Sequence, residues 1–308
     1  MSKLTAASLF VKLVTDRSYY RGKWKDRSFR LRFILRSLLY PLTGRRYLRA
    51  LCELENVEHL LEIRPSLPAR PHRPYLHRLA GVRERARMVL DHYHFVRTLP
   101  PGVRRLLEVP RETLLVRLPG KGGEQTEVTC TPCGFDREGE VMLVLRFNGV
   151  VITRISFSFI RWQGKYVLFI GGLQGPSRGT GTEVIRRATR ACHGLFPRRI
   201  LCEVAGVVAQ VCGVEEMVAV SEELHVLRGI RYWWRKRGRF VARYSECWAS
   251  AGGVHAGGFY YLSASLPRRA EEDIPVRKRA EYRRRHGVLD RIRHEVVARG
   301  GMMEGLAG

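Results

Sequence analysis

The chain has 308 residues, 45% of them hydrophobic, which is ample for a sizeable core in one large or two modest domains. Lys and Arg total 55 against 29 Asp and Glu, a formal net charge of +26. That excess predicts attraction to polyanions: nucleic acid, anionic lipid headgroups or lipopolysaccharide phosphates. An arginine-rich proteome is the plainer source of the same charge. No apolar run approaches the roughly 20 residues a spanning helix needs, and the N-terminus lacks a long apolar stretch with a small-residue cleavage site. Seven cysteines, mostly in apolar context (Cys52, Cys192, Cys202, Cys212, Cys247), fit a reducing compartment. The expectation is a cytoplasmic protein that visits the inner membrane surface.

The first part reads as basic and helical. Ser28 to Leu42 places Phe29, Phe33, Ile34, Leu38 and Leu39 mostly on one face, with Arg30, Arg32 and Arg36 between them. Such a helix either packs that face on its own domain or lies on an anionic membrane, and packing is the expected outcome. A second helix spans Tyr47 to Ile63. The four prolines between Arg64 and Pro74 predict an irregular linker, and a third helix spans Leu79 to Thr98.

Strand character begins near Leu114. LLVRL, EVTCTPCGF, EVMLVLRFNG, VITRISFSFIRW and KYVLFIGG alternate with turn residues, as in an antiparallel meander. Val167 to Gly175 is a buried-strand pattern ending in glycines. Two helical stretches follow, Thr182 to Leu195 and Pro197 to Gly213, and Glu215 to Ser221 returns to strand. Phe240 to Trp248 and Gly257 to Ser265 read as late strands or irregular aromatic segments, and Arg277 to Ala298 as a basic terminal helix. The divisions are a basic helical region over 1–110, a mixed α/β core over 111–290, and the end of the terminal helix with its tail over 291–308.

Chemistry is expected near the ends of the central strands, where α/β proteins gather their loops. His225 falls after the second core strand and is a candidate base or substrate clamp; Arg231 would hold a phosphate or carboxylate. Ser221 stands four residues before His225, which suits either a nucleophile beside a base or, before Glu222 and Glu223, a helix cap. Cys192-His193-Gly194 reads chiefly as a helix C-terminus, because neighbours on a helix diverge. Arg228, Arg231 and the Trp233 to Arg237 stretch form a basic, aromatic segment suited to phosphates, bases or a membrane interface. The glycines from Gly171 to Gly181 would let backbone N–H groups cradle a phosphate, but their spacing fits neither a P-loop nor a dinucleotide fingerprint. Cys130-Thr-Pro-Cys133 is a lone CxxC and reads as structural. No metal-ligand pattern appears, and no nucleic-acid-binding module supports the charge.

As an ordered series, several motifs resemble the VirK family of bacterial proteins across roughly Tyr47 to Glu295. They include Pro74-Tyr75-Leu76, Asp91-His92-Tyr93, Ile155 to Phe159, Leu168 to Gly175, His193-Gly194-Leu195, Val220-Ser221 with His225, Arg231-Tyr232, Trp248 with Gly252-Gly253, and Lys278-Arg279-Ala280 with Tyr282 to Arg285. The resemblance implies a role in virulence, envelope integrity and resistance to cationic antimicrobial peptides in Gram-negative bacteria. The chain departs from the family at Arg243-Tyr244-Ser245, where Asp-Tyr-Asp is usual, and at Glu222, where Asn is common.

The central unit also resembles the GNAT acyltransferase core, which implies an α+β fold. In it a helical N-terminal region packs on a mixed, mostly antiparallel sheet with flanking helices. That likeness implies acyl-CoA as cofactor and transfer of an acyl group to an envelope precursor, with an anionic envelope lipid or lipopolysaccharide precursor as partner. Gln174, followed by Gly179 and Gly181, departs from the spacing of the superfamily's phosphate loop. The residues carrying these expectations are His225, Ser221, His193 and Tyr244 for catalysis, and Arg231, Arg228, Gln174, Gly175, Trp248, Lys278 and Arg279 for ligand binding.

Overall fold

The computed structural model describes residues 4–19, 21–108, 112–176, 179–228 and 244–301. Helices α1 (Ala6–Thr15), α2 (Arg27–Leu39), α3 (Pro41–Cys52), α4 (Val57–Ile63), α5 (Val82–Thr98) and α6 (Pro101–Leu107) precede the sheet. Strands β1 (Thr113–Pro119), β2 (Gln125–Pro132), β3 (Val141–Phe147), β4 (Val150–Trp162) and β5 (Lys165–Gln174) follow as an antiparallel meander. Helices α7 (Thr182–Ala191) and α8 (Pro197–Val211) cross over to β6 (Glu216–Val220), which is parallel to β5. Then come α9 (Tyr244–Ser250), the hairpin β7 (Val254–Ala256) and β8 (Phe259–Ser263), and α10 (Val276–Arg299). The eight strands form one sheet in the order β1-β2-β3-β4-β5-β6-β8-β7. The fold is α+β, with helices flanking an open, mostly antiparallel sheet.

The meander's long apolar runs require cover on both faces. Both α5 and α8 pack on β4, whose residues 155–160 are all buried. α10 lies across α8 and β1. One continuous buried cluster runs from Leu9 in α1 to Val296 in α10.

Four local expectations are corrected. Tyr47 to Ile63 is two helices, not one, because the chain turns left-handed at Asn56 (φ 52°) before α4. The proline-rich stretch, expected as an irregular linker, instead holds an ordered, buried 3-10 turn at Leu67–His72. There, the Tyr47 hydroxyl donates to the Leu67 carbonyl at 2.8 Å. Tyr244–Ser250 is a helix rather than an aromatic strand. The expected packing face of α2 is divided: Phe33 is buried and Phe29 and Ile34 are half-buried, whereas Leu38 and Leu39 are exposed. The Cys130 and Cys133 thiols are both buried, and burial pushes their pKa up to about 12, which keeps them protonated and weakly nucleophilic.

Two buried histidines predict how stability depends on pH. His92 of α5 accepts the Phe159 N–H at Nδ1 (3.2 Å), and burial lowers its pKa to about 4. His72 is lowered to about 4 as well, by burial and then by Arg36 and Arg85. Both stay neutral in the folded chain while the unfolded chain protonates near pH 6.5. Their contribution is therefore complete above pH 6.5 and is lost as pH falls toward 4, by roughly 3 kcal/mol for each fully desolvated ring. Urea unfolding at pH 7.5, 6 and 5 should show the midpoint falling through that window, and a His92→Asn protein should show a shallower fall.

Candidate functional site

β5 and β6 pair through only three positions, Leu168 with Met217, Phe169 with Val218 and Ile170 with Ala219. β5 continues four residues further, to Gln174, without β6 alongside. At the point where pairing ends stand Gly171 and Gly172. A Cβ on Gly171 would collide with the Glu138 carbonyl oxygen, and one on Gly172 with the Glu138 side-chain carboxylate. These glycines are a bed on which Glu138 lies.

Glu138 organises the strand ends. Gln174 Nε2 donates to both of its carboxylate oxygens, at 2.8 and 2.9 Å. His225 Nε2 lies 3.2 Å from Oε1, and His225 Nδ1 accepts the Leu227 N–H at 3.3 Å. The backbone thus engages Nδ1, while Nε2 stands close to the Glu138 carboxylate. Glu138 and His225 are both buried. The Tyr244 ring meets the His225 ring edge-on at 5.5 Å. Its hydroxyl faces the backbone of Leu173 in β5, and burial raises its pKa.

Trp248, one turn further along α9, donates from Nε1 to the Val220 carbonyl of β6 at 3.0 Å. α9 thus reaches β5 through Tyr244 and β6 through Trp248, just beyond the three positions at which the two strands pair. Glu222 accepts the Ser245 N–H at 2.9 Å and the Ser245 hydroxyl, anchoring the start of α9.

The segment from Pro74 completes this centre. Leu76 adopts a left-handed φ of 57° and donates its N–H to the Arg137 carbonyl at 2.8 Å. His77 bridges to His225 through the backbone, and the Arg78 N–H donates to the Leu224 carbonyl at 2.8 Å. The His77 ring sits among Trp162, Phe169 and Phe259.

Of the residues singled out in the sequence, His225, Gln174, Tyr244 and Trp248 gather here. Gly175 follows directly after Gln174. Ser221 is buried nearby and its hydroxyl accepts the Leu224 N–H at 3.4 Å, capping a turn rather than a helix. His193 stands elsewhere, at the end of α7 with φ 54°, its carbonyl accepting from Arg285 Nε at 2.7 Å. Lys278 and Arg279 lie in the first turn of α10, with Arg279 Nε donating to the Ile274 carbonyl at 3.2 Å. Arg231 and the Trp233 region lie outside the described residues, as does the side chain of Arg228. Sequence reading missed Glu138, the hub. The glycine pair was its only signal, and nothing in a linear pattern tells which segment lies on a glycine.

A separate surface cleft of about 760 Å³ opens where α8, α9 and α10 meet the end of β4. Among the described residues, Arg198, Arg199, Arg268, Arg269 and Arg285 line it, against one lining carboxylate, Glu246. The N-terminus of α8 lacks a side-chain cap and faces this space through Pro197 and Arg198. Carboxylates outside the lining pair with three of the guanidinium groups: Arg199 with Glu203 (3.3 Å), Arg268 with Asp290 (2.6 Å) and Arg285 with Glu281 (2.7 Å). Among the described residues no carboxylate lies within 4 Å of Arg198 or Arg269. Phe196 and Leu289 add apolar surface to the same walls.

Fold and site define an α+β protein with a largely buried polar centre and an open basic cleft. The chain belongs to the DUF535 family, described as "Protein of unknown function (DUF535)", with residues 22–298 matching. It is 37% identical over 298 residues to "Uncharacterized protein YbjX" of Escherichia coli (strain K12), a match covering 96% of this chain and 90% of that one. An "Uncharacterized protein" of Haemophilus influenzae is 29% identical over 137 residues, 44% of each chain. Among solved structures, a mutant form of a "cAMP-binding acyltransferase from Mycobacterium smegmatis" aligns at a TM-score of 0.27 and 10% identity. That alignment covers 65% of this chain and 60% of that one. A likeness at that score supports neither a shared fold nor a shared activity. Among the described residues no helix is long and apolar enough to cross a membrane.

Proposed function

We propose that this protein binds a phosphate-bearing amphiphile, an anionic envelope lipid or lipopolysaccharide precursor, in the cleft between α8, α9 and α10. The observation that carries the reading is the convergence of five arginines on one cleft with the uncapped N-terminus of α8. Guanidinium groups bind phosphate oxygens in pairs, and a helix N-terminus adds N–H donors and a favourable dipole. Arg198 and Arg269 are the groups to engage the ligand directly, since the other three already bind carboxylates. Phe196 and Leu289 suit its apolar part. His225 fits an organising role better than that of a base, because it is buried, its Nδ1 is occupied and its Nε2 lies within 3.2 Å of the Glu138 carboxylate. In this reading the protein works in the cytoplasm at the inner membrane and supports the envelope, as the VirK resemblance implies.

Titration calorimetry with a short-chain phosphatidylglycerol tests the proposal. An Arg198→Glu/Arg269→Glu protein should bind at least tenfold more weakly, since a lost charge-assisted hydrogen bond costs about 1.5–3 kcal/mol. Unchanged affinity with an unchanged circular dichroism spectrum would refute it.

A second reading, acyl-group transfer from acyl-CoA to such a precursor, draws on the short parallel pairing of β5 and β6, whose ends part after three rungs. In that case native mass spectrometry of the purified protein should reveal a co-purifying acyl-CoA.

A further inference from the structure

α2 and the first turn of α3 present an apolar face that no part of the described chain covers. On the inner side of α2, Phe33 is buried against Trp24 at 5.1 Å and Phe10 at 5.4 Å, and Phe29 meets Trp24 at 5.0 Å. These rings fix the helix to the body of the protein. On the outer side Leu31, Leu35, Leu38 and Leu39 recur at helical spacing, so they share one face. Leu42, just past the break at Tyr40, extends the row. All five leucines are more than half exposed, and Leu38 and Leu39 exceed 70%.

Monomeric proteins scatter exposed apolar side chains singly; a contiguous leucine row marks an interaction surface. Its chemistry selects the partner. The row is a convex ridge, not a groove for a peptide. Exposed Arg27 and Arg32 flank it on α2 and exposed Arg45 and Arg46 continue along α3, while Tyr40 stands half-exposed at its end. Among the described residues, Arg32 is the one of these arginines with a carboxylate close by, Asp26 at 3.5 Å. Leucines in the middle, guanidinium groups at the flanks and an aromatic hydroxyl at the edge match the layers of an anionic bilayer: acyl chains, phosphates and interface.

We infer that the leucine ridge of α2 and α3 inserts into the surface of a membrane rich in anionic lipid and holds the protein there. The contact is distinct from the ligand cleft, which is built from other elements, and it stands whether or not that cleft binds a lipid.

Sedimentation of the full chain with vesicles tests the inference, comparing phosphatidylethanolamine containing about 30% phosphatidylglycerol, an anionic surface of the kind that attracts basic segments, against pure phosphatidylcholine. The wild type should pellet with the anionic vesicles and stay in solution with the zwitterionic ones. Leu35→Glu/Leu38→Glu should lower the partition coefficient at least tenfold, while the cleft variant Arg198→Glu/Arg269→Glu keeps most of it. Both leucines are exposed, so the fold should survive, as circular dichroism would verify. In a Leu38→Trp protein, brominated phosphatidylglycerol should quench fluorescence beyond the wild-type background. Equal partition of the leucine variant and wild type, no wild-type binding to anionic vesicles, or an unquenched tryptophan would each overturn the inference. So would a wild-type dimer on size exclusion that the leucine substitutions convert to monomer, since the ridge would then belong to a second copy.

Discussion

Replacing Glu138 by Ala is expected to cost about 3–5 kcal/mol, the range for removing one partner from a buried polar pair. The Gln174 amide loses both acceptors, and His225 loses the carboxylate 3.2 Å from Nε2. His225 cannot turn to water, because it is fully buried beneath Leu76, Tyr244 and Trp248, whereas the half-buried Gln174 amide can recover part of its loss from solvent. Glu138→Gln keeps the volume and one carbonyl acceptor, so it should cost clearly less. Gly171→Ala approaches the same junction from the other side. Its methyl would strike the Glu138 carbonyl, a backbone atom held by neighbouring hydrogen bonds, so it has little room to yield. Urea unfolding of the three proteins, followed by tryptophan fluorescence, checks the order. A Glu138→Ala protein as stable as wild type would mean that the carboxylate is not the hub of the strand ends.

The second large effect concerns Arg70 and Glu140, an ion pair 3.3 Å apart with both side chains about 1% exposed. Tyr93 donates its hydroxyl to the same carboxylate oxygen at 2.8 Å, and Arg70 lies over the Tyr75 ring at 5.6 Å. Arg70 Nε and Nη1 and Glu140 Oε1 have no hydrogen-bond partner among the described residues. Two buried charges with incomplete hydrogen bonding are costly to hold, and costlier still to separate. Glu140→Leu should therefore destabilise by about 3–5 kcal/mol, as should Arg70→Met. The double variant should recover most of that loss, because no lone charge remains in the core. Additive losses in a double-mutant cycle would show that the two groups do not act as a pair.

Both effects depend on contacts between residues distant in sequence, and this separates what was legible from what was not. The meander from Thr113 to Gln174, the crossover helices and the long terminal helix follow from alternation and helical spacing, which are local. That His225 and Gln174 follow core strands was legible in the same way, whereas Tyr244 and Trp248 entered only through the family resemblance. Glu138 was not legible: it lies in a short turn with no periodicity, and its importance comes from lying on Gly171 and Gly172. The buried Leu67–His72 turn misled because proline density signals irregular backbone but says nothing about burial. Tyr244–Ser250 misled because a seven-residue segment carrying Tyr, Cys and Trp shows no clear period. α2 was read as packing by one apolar face, yet its phenylalanines face inward and its leucines outward, a choice that hydropathy cannot make.

By itself, the sequence determined the fold class, the strand series and the strong positive charge, because side-chain alternation, helical spacing and net charge belong to the chain before it folds. Only the tertiary structure decided that the conspicuous histidine is enclosed by a carboxylate and aromatic rings, and that scattered arginines converge on one cleft. It alone decided which leucines stay outside. Each is a matter of which distant segments touch, and contact between them is set by packing in three dimensions rather than by any local pattern.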